Sequence, residues 1–169
     1  MSQYKYLEGI KARDAYFKGA DTVAKIVRES IGPFGLNLAT EKGKKTTNDG
    51  YLISQSVSLA LRDEFERQGA LLQHESSTKT NDKVADATST TIALNSAIRK
   101  ELLKYLPTDK RFVSLKSVET LKKQLEKERE FVITELKKDI QTIETEGDLI
   151  KSALVAVEDE KLANLIATT

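Results

Sequence analysis

Apolar residues recur at three- and four-residue steps along most of this chain. Between Ile10 and Ile31, Tyr16, Ala20, Val23, Val27 and Ile31 share one face, which predicts an amphipathic helix. Gly32-Pro33 stops it, because proline cannot continue the helical hydrogen-bond ladder. Residues 36–60 change character. The short Thr-containing runs Leu36–Thr40 and Lys45–Thr47 flank Glu41-Lys42-Gly43-Lys44, a pattern that predicts a small β-hairpin with a charged tip. Asn48-Asp49-Gly50 then reads as a second turn. Helical spacing returns near Leu61, with Phe65, Gly69 and Leu72 on a stripe running toward Lys79, followed by a polar break at Thr80–Asp86. A further helix is expected from Asp86 or just after it. Leu94, Ile98, Leu102 and Tyr105 form its apolar face, and Pro107 closes it.

The pattern from 109 to 146 predicts one long helix broken at Glu146-Gly147. Val118, Leu121, Leu125, Val132, Leu136, Ile140 and Ile143 keep helical spacing, while 18 of the 38 residues are charged. Such a helix is solvated over most of its circumference; a coiled coil fits less well, since the heptad lapses at Glu128-Arg129. From Asp159 to Ala167, Leu162, Leu165 and Ile166 make a final apolar stripe that stops with no capping glycine or polar tail. The expected fold class is mainly α, a helical bundle with one small hairpin.

Composition narrows the chemistry. The 169 residues hold no Cys and one His, which excludes thiolate metal sites, cysteine nucleophiles and multi-histidine centres. Twenty-seven basic against 26 acidic residues leave a net charge of +1, with no general pull toward nucleic acid or a membrane surface. No apolar run approaches the ~20 residues of a membrane span, and Met-Ser-Gln-Tyr-Lys-Tyr lacks the apolar core of a signal peptide. The expectation is a soluble, cytoplasmic chain.

Three segments share one chemical theme, contact with phosphate. In Ser30-Ile31-Gly32-Pro33-Phe34-Gly35, the glycines let backbone N–H groups approach an anion, although an ordinary helix stop has the same form. In Thr47-Asn48-Asp49-Gly50, a tightly held Asp49 is able to position water or a metal-bound phosphate, or merely to close the hairpin. The third segment, Asp86-Ala87-Thr88-Ser89-Thr90-Thr91, sets a carboxylate before four hydroxyls at a predicted helix start. Free N–H groups and the positive end of the helix dipole make such a start a phosphate site. N-capping by Asp86 is the simpler explanation, but it needs one residue and leaves the poor helix formers after it unexplained. His74 is placed within a helix, on a polar face, and Lys42, Lys44 and Lys45 read as a wet hairpin tip.

The order of these segments resembles the chaperonins, and most of all their GroEL-type subunits. Asp63-Glu64-Phe65-Glu66-Arg67-Gln68-Gly69-Ala70 is similar to the family's D-x-F-E-N-x-G-A, and Lys79-Thr80-Asn81-Asp82 to its K-x-N-D. Gly32-Pro33-Phe34-Gly35 and Thr47-Asn48-Asp49-Gly50 look more like the archaeal and eukaryotic-cytosolic branch. The resemblance is dense from about Tyr16 to Leu106, and Asp159-Glu160 with Leu165-Ile166-Ala167 is similar to the family's entry into its intermediate domain.

The resemblance implies an ATP-driven folding machine of back-to-back rings, with unfolded proteins as clients and a possible co-chaperonin. Residues 1–146 would be the N-terminal half of an equatorial ATPase domain, and 147–169 the start of an intermediate domain. Ser30, Ile31, Gly32 and Pro33 would line the phosphates with Asn48 beside them. Asp49 would orient the attacking water as the catalytic residue. Asp86 would bind Mg²⁺, with Ala87, Thr88, Ser89 and Thr90 wrapping the phosphates. The hairpin at 36–47 would reach a neighbouring subunit. The family's Gly after the magnesium Asp is Ala87 here, its middle Thr is Ser89, and Asn48 stands where GroEL-type chains have Lys. ATP hydrolysis is accordingly expected only in a complete assembled subunit, since a whole subunit is about three times longer. Two alternatives stay open: a non-hydrolysing chaperonin-derived binding or assembly module, and an unrelated charged helical interaction protein.

Overall fold

A computed structural model describes residues 5–32, 34–40, 45–104 and 115–168. The expected hairpin tip, Pro33, Tyr105 and Pro107 lie outside them. The element order is α1 Gly9–Arg28, β1 Leu38–Thr40, β2 Lys45–Thr47, α2 Gly50–Ala60, α3 Glu64–Val84, α4 Thr88–Leu103, α5 Leu115–Leu136, α6 Glu146–Val157 and α7 Glu160–Ala167. The mainly helical class with one small hairpin is what the residue pattern predicts. β1 and β2 pair antiparallel, Leu38 opposite Thr47 and Ala39 opposite Thr46. The chain divides into two compact units, Met1–Val113 and Ser114–Thr169.

In the first unit, α1 to α4 close on a small core. Val23, Ala24 and Val27 of α1 meet Ile53 of α2, Ala70 of α3 and Ile92 of α4, with Ile26, Leu38, Val57 and Leu61 at the margin. The α1 face is the expected one, although its last predicted member, Ile31, lies outside the core and is exposed. Close helix approach sets the rest. Gly69 of α3 packs so tightly against α1 that a Cβ would overlap the Tyr16 backbone. Buried Gln73 bridges two neighbours: its amide donates to the Ile92 carbonyl at 2.8 Å, and its oxygen accepts from Arg99 at 3.2 Å. Arg99 also pairs with Asp21 of α1.

Several boundaries differ from the sequence pattern. The sequence pattern marks only the turn at Asn48-Asp49-Gly50 and no helix before Leu61, yet Asp49 caps an 11-residue helix by accepting from Tyr51 N. Its buried face is Gly50, Ile53, Ser54 and Ser58, so small polar residues hide the helical period that larger apolar ones would display. Their hydroxyls are satisfied within the helix, Ser58 by the Ser54 carbonyl at 2.7 Å. α3 starts at the Asp63 cap, which accepts from Phe65 N and Glu66 N at 2.9 Å each. It runs through the expected polar break to Val84; within that stretch the Thr80 hydroxyl donates to the Ser76 carbonyl at 3.1 Å and lies 3.1 Å from the Thr91 hydroxyl of α4. On α4 the buried residues are Thr88, Ile92 and Ser96, whereas the expected face members Leu94 and Ile98 are exposed.

The second unit has its own logic. The single helix expected over 109–146 ends as α5 at Leu136, tightens into a short 3₁₀ turn at Lys137–Asp139 and becomes extended at Ile140. Glu146-Gly147 opens α6 rather than breaking a helix. Thr145 accepts from Asp148 N at 3.2 Å and donates to Asp148 Oδ2 at 2.7 Å, a reciprocal start signal. That hydroxyl is the main reason the Asp148 carboxyl is held below its ordinary range. Asp159 caps α7 through Leu162 N at 2.9 Å, and α6 packs on α7. Among the described residues, no helix is long and apolar enough to cross a membrane.

Candidate functional site

Each of the three phosphate-type segments sits at a helix end. After α1, Ser30 N and Oγ both donate to the Val27 carbonyl, at 3.0 and 2.7 Å. The loop then folds back: Gly35 N donates to Gly32 O at 2.9 Å, and Leu36 N to Glu29 O at 2.7 Å. Gly32 has φ +89°, a geometry glycine adopts without strain. After β2, Asp49 N donates to Thr47 Oγ1 at 3.1 Å, and Asp49 Oδ1 accepts from Tyr51 N at 2.9 Å. The turn expected here is therefore the N-cap of α2.

The link between α3 and α4 is the most constrained piece of backbone. Ala85 has φ +56° and Ala87 φ +60°, left-handed values that cost a residue with a Cβ ~1–2 kcal/mol each. Asp86 between them does not cap α4. The capping position is Ala87, which has no side-chain bond to offer, and Asp86 Oδ1 accepts instead from Ala87 N at 2.5 Å. The physical reason is the late end of α3: the chain leaves Val84 and enters Thr88 within three residues, and two left-handed residues make that reversal. Without a side-chain cap, the first N–H groups of α4 remain available donors.

Folding brings part of the three segments together. Ser30 Oγ lies 3.4 Å from Ser89 Oγ, and Thr88 Oγ1 donates to Asp49 Oδ1 over 3.5 Å. Gly50 is pressed against Ser89, so that a Cβ there would overlap Ser89 backbone and hydroxyl. Ser30, Asp49, Thr88 and Ser89 thus converge at the start of α4 from positions up to 59 residues apart. Asn48, Ile31, Gly32, Asp86, Ala87 and Thr90 are exposed around them; no described bond joins Asp86 to Asp49. Among the described residues, no group of three His, Asp or Glu forms a ready metal cage. One exposed carboxylate beside a phosphate site still suits Mg²⁺, which keeps several waters and takes one or two carboxylates plus phosphate oxygens.

One contact behind α2 is not legible in the sequence. His74 was expected on a polar face, yet it is half-buried and bonded to Ser54 of α2 at 2.9 Å. Burial holds its pKa below the ordinary 6.5. No local signal marks that contact, because it depends on α2 being a helix.

A helical bundle with a small hairpin, carrying these segments in this order at its helix ends, is a chaperonin fold. The chloroplastic chaperonin GroEL of Cyanidium caldarium is 33% identical over 161 residues, which cover 93% of this chain and 29% of that protein. The crystal structure of the chaperonin gp146 from bacteriophage EL (Pseudomonas aeruginosa), obtained in the presence of ATP-BeFx, matches with a TM-score of 0.75 and 27% identity. That match covers 95% of this chain and 28% of the phage protein. No protein-family model matches the chain. In sequence and in fold the chain is similar to GroEL-like chaperonins, and it spans under a third of the length of the relatives it matches.

Proposed function

We propose that the chain supplies the phosphate- and magnesium-binding half of the ATP site of a chaperonin subunit that folds client proteins within a ring. The observation that carries this reading is the meeting of Ser30, Asp49, Thr88 and Ser89 at the uncapped start of α4. Ser30 through Pro33 and Asn48 line the phosphates, and Ala87 through Thr90 wrap them with N–H groups and hydroxyls. Asp86 holds Mg²⁺, which neutralises phosphate charge when bound. Asp49, anchored as a helix cap, orients the attacking water. The gp146 structure obtained with ATP-BeFx supports ATP as the nucleotide. In this reading residues 1–146 belong to an equatorial ATPase domain and 147–169 begin an intermediate domain, with hairpin β1–β2 reaching a neighbouring subunit.

Asp49→Ala or Asp86→Ala in the assembled protein is expected to suppress ATP turnover by about 10²-fold or more. Unchanged turnover in both overturns the site assignment. Ala87 favours a second reading, a non-hydrolysing assembly module, because its methyl sits at φ +60° where the phosphates would lie. Titrating ATP into the 169-residue chain with and without Mg²⁺ separates the two. Magnesium-dependent binding at roughly micromolar strength supports the ATPase reading, and no binding supports the module.

A further inference from the structure

His74 is the only histidine in the sequence, and it has more partners than a solvated side chain would. Nδ1 lies 2.9 Å from Ser54 Oγ, and Ser54 is fully buried. The imidazole lies 5.1 Å from the Tyr51 ring, tilted by 44°. The Ser54 hydroxyl donates to the Tyr51 carbonyl at 2.9 Å. A hydroxyl has one proton to give, so Nδ1 carries the hydrogen and donates to Ser54 Oγ. Tyr51 is held at both ends, by its ring against the imidazole and by its carbonyl through Ser54. Its own N–H donates to Asp49 Oδ1 at 2.9 Å. Glu75, next to His74 in the chain, pairs with Lys79 at 2.7 Å.

We propose that His74 is a positioning residue for Asp49: from α3 it braces the first turn of α2 through Ser54 and Tyr51, and so fixes the carboxylate that faces Thr88. This rests on the reading of Asp49 as the residue that orients water. A group that sets the aim of a carboxylate acts on the chemical step and hardly on nucleotide affinity, and small misplacements are costly there.

The test is steady-state ATP turnover in the assembled protein. His74→Leu is expected to lower kcat about five-fold while the KM for ATP stays within about two-fold. His74→Asn places an amide N–H where Nδ1–H stood, and is expected to return kcat to within about two-fold of the parent. Ser54→Ala removes the same bond from α2 with little change in volume; it is expected to match His74→Leu and stands in for that variant if it does not assemble. The proposal is overturned by parental kcat in Ser54→Ala or His74→Leu, or by an Asn variant as slow as the Leu one. Asp49→Ala, assayed in parallel, keeps the two readings apart. If it stays active, the role given to Asp49 fails; if it is inactive while the His74 and Ser54 variants are normal, only the brace fails.

Discussion

The two units are held in different ways. In residues 1–113, four helices share a core whose central members, Val23, Val27, Ile53 and Ile92, are at most 1% exposed. Burying side chains of this kind contributes ~1.5–3 kcal/mol apiece. In residues 114–169, Ala163 is the only described hydrophobic residue buried to that degree. Of the described α5 side chains, all but Leu121 are exposed. Order there is specified locally, by the Thr145 and Asp159 caps and by pairs such as Lys123–Glu119 at 2.9 Å. Local signals suffice to start and stop helices. A site assembled from distant segments needs the first arrangement, in which packing fixes how helix ends meet.

The sharpest way to break this comparison is at the α1–α3 crossing. Gly69→Ala forces a methyl into the Tyr16 backbone and is expected to cost about 3 kcal/mol or more, in the upper range of overpacking effects. Urea denaturation followed by circular dichroism would show it, with the loss confined to the transition of the first unit. An ordinary midpoint would mean that the crossing is soft and the core less specific than its burial indicates.

Asp159→Ala probes the opposite regime. Loss of the α7 cap is expected to cost about 1 kcal/mol. Amide exchange in α7 should speed up while exchange in α1–α4 is unchanged. Equal acceleration in both units would refute the idea that the second is specified locally.

The smallest effect concerns pH. Burial holds the His74 pKa below 6.5, so the unfolded chain takes up the proton first as pH falls. This contribution to stability is complete above 6.5 and is lost as pH drops through 6.5 toward the folded value. The denaturation midpoint of the first unit should therefore be lower at about pH 5.5 than at about pH 7.5, and His74→Asn should remove most of the difference. A difference that persists in the Asn variant would assign it to other groups.

Much of the fold could be read from residues alone where signals are local and large. The α1 stripe from Tyr16 to Val27, the paired Thr-rich runs of the hairpin and the Asp159 helix start need only a few neighbours to specify them. α2 could not be read that way, because its buried face is built from Gly50, Ser54 and Ser58 around one Ile. Such residues carry little hydrophobic period and are helical here because α1 and α3 cover them. The 109–146 stretch misled in the other direction. Ile140 and Ile143 keep helical spacing, but no packed surface holds that spacing in place, and the Thr145 start signal prevails.

What the sequence determined by itself is the type and order of the residues proposed to meet phosphate: Ser30, Asp49, and Asp86 through Thr90. That information is chemical and local, written in side-chain type and short spacing. Tertiary structure alone decided that Ser30 meets Ser89 and Asp49 meets Thr88. It also made Asp49 a helix cap, set Ala85 and Ala87 in left-handed geometry, and turned His74 toward Ser54. These are consequences of where helices end once their faces pack, and close packing acts across tens of residues where no local pattern reaches.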